Sequence, residues 1–104
     1  MIDFPIGLGV IGCGWAAGEI ARATTQLPAL RIVAACDADP ARARAYAEKT
    51  NARLATDIDN LLADPAVSTV YVGLPHYLLS STVERALAAG KHVLAEKPLS
   101  LDAD

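Results

Sequence analysis

The residue types able to do chemistry fall in a few short runs. Gly12-Cys13-Gly14-Trp15-Ala16-Ala17 follows an apolar stretch and precedes a helical pattern. Glycines in such a turn let the backbone approach a pyrophosphate, and a helix opening from it presents N–H groups to the anion. An overlapping run, Gly7-Leu8-Gly9-Val10-Ile11-Gly12, fits the same pattern. It has too little chain before it for a central strand and no helix directly after it, so the second register is the phosphate-binding one. There Gly12 makes the tight turn, Gly14 leaves the phosphate side open, Trp15 and Ala16 open the helix, and Ala17 lets it pack close to the strand. Gly7 and Gly9 then lie inside the strand, which is unfavourable unless another backbone or a ligand approaches.

Asp37 stands about 20 residues beyond the glycine run, where a carboxylate accepts hydrogen bonds from the adenosine ribose. A 2'-phosphate would meet like charge there, which favours NAD. A second reading makes Asp37 only the start of the turn Asp37-Ala38-Asp39-Pro40. In that turn Asp39 is the N-cap and Pro40 the first helical residue, leaving Asp37 free for the ribose. Arg42 and Arg44 are near enough to keep NADP open as an alternative; otherwise they are solvated helix charges. Further on, Leu74 ends a strand-like run and Pro75-His76-Tyr77 reads as a loop at its carboxyl end, where open parallel sheets bind ligands. Leu74, Pro75 and His76 are therefore placed at the cofactor, although His76 also fits a solvent-facing loop. Glu96-Lys97-Pro98 is another polar cluster at a strand terminus; taken alone it is a surface lysine paired with Glu96. His92, inside a strand, reads as structural.

Positioning these residues requires alternating strands and helices. A helix is expected over residues 16–26, with Ala17, Ile20, Ala21, Thr24 and Leu27 on one face and Pro28 ending it. Residues 31–36 form a strand without polar alternation, as in a parallel sheet covered on both faces. A second helix spans 40–50, with Asn51 as its left-handed stop. A weak strand follows at 53–55. Thr56 and Asp59 then have capping-box spacing for a short helix to Ala63. Asp64-Pro65 is a turn, 68–74 a strand, and Ser80 or Ser81 caps a helix with Val83, Ala86 and Leu87 on its apolar face and Gly90 as its stop. Residues 91–95 form a last strand. The fold class is α/β, a Rossmann-like doubly wound parallel sheet of about five strands, incomplete on its C-terminal side.

At 104 residues the chain makes one domain, 1–104. A hydrophobic content of 53% with 20% charged residues describes a covered core and excludes a disordered chain. The net charge of -3 offers no basic patch for nucleic acid. The uncharged run 4–18 is too short and too glycine-rich to span a membrane and lacks the basic flank of a signal peptide, which points to the cytoplasm. Two cysteines, Cys13 and Cys36, make neither a zinc site nor a disulfide framework. They are two buried thiols or, if adjacent strands bring them together, a reactive pair.

The glycine turn, Asp37 and the run Ala89-Gly90-Lys91-His92-Val93-Leu94-Ala95-Glu96-Lys97-Pro98-Leu99 together resemble the N-terminal domain of the Gfo/Idh/MocA oxidoreductases, over nearly the whole chain. The resemblance implies a nicotinamide cofactor, NAD or NADP, and hydride transfer to or from a sugar- or cyclitol-like carbinol. It assigns Lys97 the catalytic place beside the nicotinamide and the reacting carbon, with Glu96 adjoining the cofactor and a cis bond before Pro98. It also implies a second, substrate-binding domain that these residues do not include, so catalysis by the 104 residues alone is not expected. Leu79 stands where the family commonly has a histidine. An incomplete sheet would leave 92–95 as an apolar edge, from which homo-oligomerisation is expected. The competing reading is a non-enzymatic nucleotide-binding or protein-interaction module on a partial Rossmann fold. A methyltransferase fits the Glu-Lys-Pro segment less well.

Overall fold

The structure, a computed structural model, describes residues 5–95. Within them run β1 (Ile6–Ile11), α1 (Trp15–Thr24), β2 (Leu30–Cys36), α2 (Pro40–Thr50), β3 (Arg53–Leu54), α3 (Ile58–Leu62), β4 (Thr69–Val72), α4 (His76–Ala88) and β5 (His92–Ala95). All pairings are parallel, and the strand order is β3-β2-β1-β4-β5. The chain builds outward from β1 on one side, then returns to its other side for β4 and β5. This is the doubly wound α/β sheet expected. Its topological switch point lies between the carboxyl ends of β1 and β4.

Both faces of the sheet are covered, which is why its central strands are apolar without alternation. On one face, Ala17 and Ala21 of α1 and Tyr46 of α2 pack over Leu8, Val10, Ile32 and Ala35. On the other, Leu61 and Leu62 of α3 and Leu79 and Ala86 of α4 pack over Ile11, Ala34, Val70 and Val72. A register shift between Leu8 and Gly9 breaks the alternation of β2, so that Val33 and Ala34 both face the α3/α4 layer. A Cβ on Gly7 would run into the Ala66 carbonyl oxygen, which is the close backbone approach that a glycine within a strand calls for.

Local chemistry sets several boundaries as expected. Asp39 Oδ1 accepts the N–H groups of Ala41 and Arg42 at 3.0 and 3.3 Å, and Asn51 ends α2 at φ 60°. α1 begins and ends earlier than the 16–26 pattern, and Leu27 lies exposed in the turn that follows. The capping of α3 is corrected: Asp57, not Thr56, is the cap, accepting the Asn60 N–H at 2.8 Å. The same three-residue spacing fits one step along, and a carboxylate is the stronger acceptor. Asp59 instead pairs with Arg85 at 2.5 Å.

The larger correction concerns α4. It starts at His76, with Pro75 at the N-cap, so Pro75-His76-Tyr77 is a helix start and not a loop. Ser81 Oγ donates to the Leu78 carbonyl instead of capping. The buried face is Leu79, Thr82 and Ala86, while Leu87 is exposed. Burial of Leu79 on β4 pulls the helix start back to the strand. β5 pairs only with β4 among the described residues, leaving an outer edge on which Leu94 is 47% exposed. No helix among them is long and apolar enough to cross a membrane.

Candidate functional site

The site begins where β1 ends. Gly12 sits at φ +93°, and a Cβ there would strike the Gly73 carbonyl oxygen, so both conformation and space require glycine. Its N–H donates to the Cys36 carbonyl at 2.9 Å, and the Gly73 N–H donates to the Ile11 carbonyl at 2.8 Å. The turn is therefore wedged between the ends of β2 and β4. Gly14 differs: a Cβ there would meet nothing within 4 Å. Its missing side chain opens a cradle. Gly14 is also the N-cap of α1 and offers no side-chain acceptor, so the first-turn N–H groups of that helix have no cap partner. With the positive end of the helix dipole, they are donors of the kind that hold an anion.

Asp37 follows β2 directly. Its Oδ2 accepts the Cys13 N–H at 2.7 Å and its Oδ1 accepts the Asp39 N–H at 2.8 Å. Arg42 Nη1 lies 4.0 Å from Oδ2, and the Asp37 side chain is only 10% exposed. Asp37 is thus not the unengaged group that capping by Asp39 suggested. It fastens the glycine turn to the end of β2. Each carboxylate oxygen keeps a second lone pair, so the group can still accept from ribose hydroxyls.

A cleft of about 750 Å³ runs from Gly12 and Asp37 past Leu74 to Leu78, Thr82 and Arg85. Of the expected cofactor residues, Gly12, Asp37 and Leu74 line it. Gly14, Trp15 and Ala16 form the adjoining turn and helix start. Ala17 is buried, and its carbonyl accepts the Tyr46 hydroxyl at 2.7 Å, so its part is to seat α1 against α2. Pro75 and His76 are exposed and are not among the lining residues. Glu96, Lys97 and the bond before Pro98 lie outside the described residues. Sequence reasoning missed the wall formed by Leu78, Thr82 and Arg85. Their i, i+4, i+7 spacing marks one helix face only once α4 is started at His76.

A second hollow of about 620 Å³, whose lining includes Arg22, Arg31 and Lys49, lies at the amino ends of β1 and β2. Ligand chemistry in open α/β sheets belongs to the carboxyl ends, and the glycine turn and Asp37 are there. The cleft at that end fits an extended dinucleotide: a cradle that a Cβ would fill, uncapped helix N–H groups, and a preorganised carboxylate beside them.

The two thiols are not a redox pair. Cys13 packs in the α1/α2 layer and Cys36 in the α3/α4 layer, on opposite faces of the sheet. Cys13 Sγ donates to the Cys36 carbonyl at 3.4 Å. Burial, reinforced by the Asp37 charge, pushes Cys13 up to about 12 and Cys36 up to about 11, so neither is a thiolate near neutrality.

Residues 6–104 match the model of an oxidoreductase family with an NAD-binding Rossmann fold. A dTDP-3,4-didehydro-2,6-dideoxy-alpha-D-glucose 3-reductase of Saccharopolyspora spinosa is 35% identical over 100 residues, 95% of this chain and 30% of that protein. An inositol 2-dehydrogenase of Ralstonia nicotianae is 39% identical over 101 residues, 93% of this chain and 30% of that protein. Among solved structures, a 3-ketoreductase from Actinomadura kijaniata in complex with NADP and TDP-benzene superposes with a TM-score of 0.85 at 38% identity, over 91% of this chain and 30% of that one. A gentamicin A biosynthesis protein in complex with NAD gives 0.87 at 32% identity, over 95% and 28%. The chain thus spans about 30% of the length of the curated relatives it matches.

Proposed function

Because the chain belongs to the Gfo/Idh/MocA oxidoreductase family, as its NAD-binding Rossmann domain, we propose that it holds NAD for hydride exchange with a carbinol or carbonyl carbon of a sugar- or cyclitol-like substrate. The observation that carries this reading is the glycine turn tied to Asp37 at the head of the cleft. The dinucleotide supplies the hydride chemistry. The chain's own part is to seat the pyrophosphate on the first turn of α1, to accept the adenosine ribose at Asp37, and to shield the adenosine side with Leu74 and α4. Relatives that act on a dTDP-sugar ketone and on inositol support a polyhydroxylated ring as substrate. Lys97 has the side chain to hydrogen-bond a reacting hydroxyl and assist its proton transfer; this role rests on the resemblance of Glu96-Lys97-Pro98. Turnover is not expected of these 104 residues alone.

The Asp37 carboxylate opposes a 2'-phosphate, so NAD is the preferred form, while Arg44 in the cleft lining gives NADP a weaker hold. Calorimetric titration with NAD and NADP tests this. Tighter binding of NAD supports the reading, and no binding of either at millimolar concentration overturns it. The outer edge that β5 presents among the described residues supports self-association, which light scattering across a concentration series would detect as a mass above the monomer. A cytoplasmic location and the absence of a nucleic-acid partner complete the proposal, the latter supported by the net charge of -3.

A further inference from the structure

Trp15 and Tyr77 are each 81% exposed, whereas Tyr46 and Tyr71 are buried. Trp15 is the first residue of α1, and Tyr77 lies in the first turn of α4. Those helices leave the neighbouring strands β1 and β4 toward opposite faces of the sheet. The two aromatic residues therefore stand on opposite lips of the switch-point crevice.

A dinucleotide held as described above has a fixed direction. Its adenosine ribose is at Asp37, beyond β2, and its pyrophosphate is at the turn after β1. The remaining half must extend away from β2, toward the carboxyl end of β4. That path leads past the amino ends of α1 and α4, which carry Trp15 and Tyr77.

We propose that Trp15 and Tyr77 form an aromatic clamp on the nicotinamide ring, one stacked on a face and the other against its edge so that the second face stays open for hydride transfer, and that the clamp favours the oxidised form. This rests on the dinucleotide-binding reading and adds to it a redox preference. Oxidised nicotinamide is a planar cation, which aromatic faces attract, with indole the strongest of the side chains; reduced nicotinamide is neutral and forgoes that attraction. The apolar area that two exposed aromatic residues offer to water is covered when the ring arrives. The consequence is tighter retention of NAD+ than of NADH, so the protein is loaded with the oxidised form and bound NAD+ is a weaker oxidant than the free cofactor.

Trp15 is the single tryptophan of the chain, so its emission reports this site alone. The full chain is titrated with NAD+, NADH and ADP-ribose, the last carrying every part of the dinucleotide except the nicotinamide. ADP-ribose should bind by calorimetry with a smaller change in Trp15 emission than NAD+, which should quench it and produce a long-wavelength indole–nicotinamide charge-transfer absorption. Trp15→Leu and Tyr77→Leu, both at exposed positions that folding does not need, should each lower NAD+ affinity about three- to tenfold. ADP-ribose affinity should be unchanged in Tyr77→Leu, and the ratio of NAD+ to NADH affinity should fall in both. Equal quenching by NAD+ and ADP-ribose, or unchanged NAD+ affinity in both variants, would overturn the clamp while leaving dinucleotide binding intact. Failure of ADP-ribose and NAD+ alike to bind would instead remove the reading on which the clamp stands.

Discussion

Asp37→Asn keeps the shape of the side chain but removes its charge and one of its two acceptors. In the native chain Oδ2 holds the Cys13 N–H at 2.7 Å, across twenty-four residues, and Oδ1 holds the Asp39 N–H at 2.8 Å. An amide can accept only one of these, and its own NH2 then faces the other donor. A hydrogen bond to a charged acceptor contributes about 1.5–3 kcal/mol, and a buried donor left unsatisfied costs about 1–3 kcal/mol. The 10% exposure of the side chain limits replacement by water at the part-buried Cys13 N–H, while the Asp39 N–H is open to solvent. The Arg42 pair at 4.0 Å, with Arg42 half exposed, adds little. The expected loss is therefore about 2 kcal/mol. With urea slopes of about 1–3 kcal/mol/M for small domains, the unfolding midpoint should fall by roughly 1 M. Urea unfolding followed by far-ultraviolet circular dichroism, without cofactor, reads this directly. An unchanged midpoint with an unchanged slope would refute the claim that Asp37 fastens the turn, even if NAD affinity fell.

The two turn glycines should separate folding from binding. Gly12→Ala, with its positive φ and its clash against Gly73, should cost at least about 2 kcal/mol; Gly14→Ala should leave thermal unfolding within about 0.5 kcal/mol of native, yet weaken NAD binding measured by calorimetry. Asp64 is held below the usual carboxylate range, first by the Ala66 N–H at 2.8 Å and then by Arg53 at 3.1 Å. Its folded pKa lies below the unfolded value of about 3.9, so its contribution is present above that value and is lost as pH falls through the folded pKa. Asp64→Asn should then destabilise the chain at pH 7 and flatten the acid limb of a stability-versus-pH curve. The raised thiol pKa values predict that Cys13 and Cys36 resist alkylation at pH 8 in the folded chain and react on unfolding, with mass spectrometry counting the adducts.

What could be read from the sequence was what depends on local chemistry. Asp39 before Pro40, Asn51 after α2 and Gly90 after α4 admit few alternatives, and each sits where its residue type demands. The start of α4 could not be read this way, because no side chain caps it; its position depends on Leu79 reaching the core under β4. Starting that helix late also hid the wall of the cleft. In the site, the glycine turn and Asp37 were legible as residue types. The bond from the Cys13 N–H to Asp37 was not, since it depends on the β1–β2 register and on one rotamer. The cysteines show the same limit. Adjacent strands brought them near one another, but Cys13 lies in the turn past the end of β1, and the alternation that sets the face of Cys36 is interrupted by the shift near Gly9.

The central claim is that a dinucleotide lies along the carboxyl edge of the sheet from Asp37 across the glycine turn. Backbone amide chemical shifts of isotope-labelled chain, recorded as NAD is added, test it most directly. Saturable shifts concentrated at Gly12 to Ala17, Asp37 to Asp39 and Leu74 are the predicted result. Shifts centred instead on Arg22, Arg31 and Lys49 at the opposite end of the sheet, or none at millimolar NAD, would contradict it.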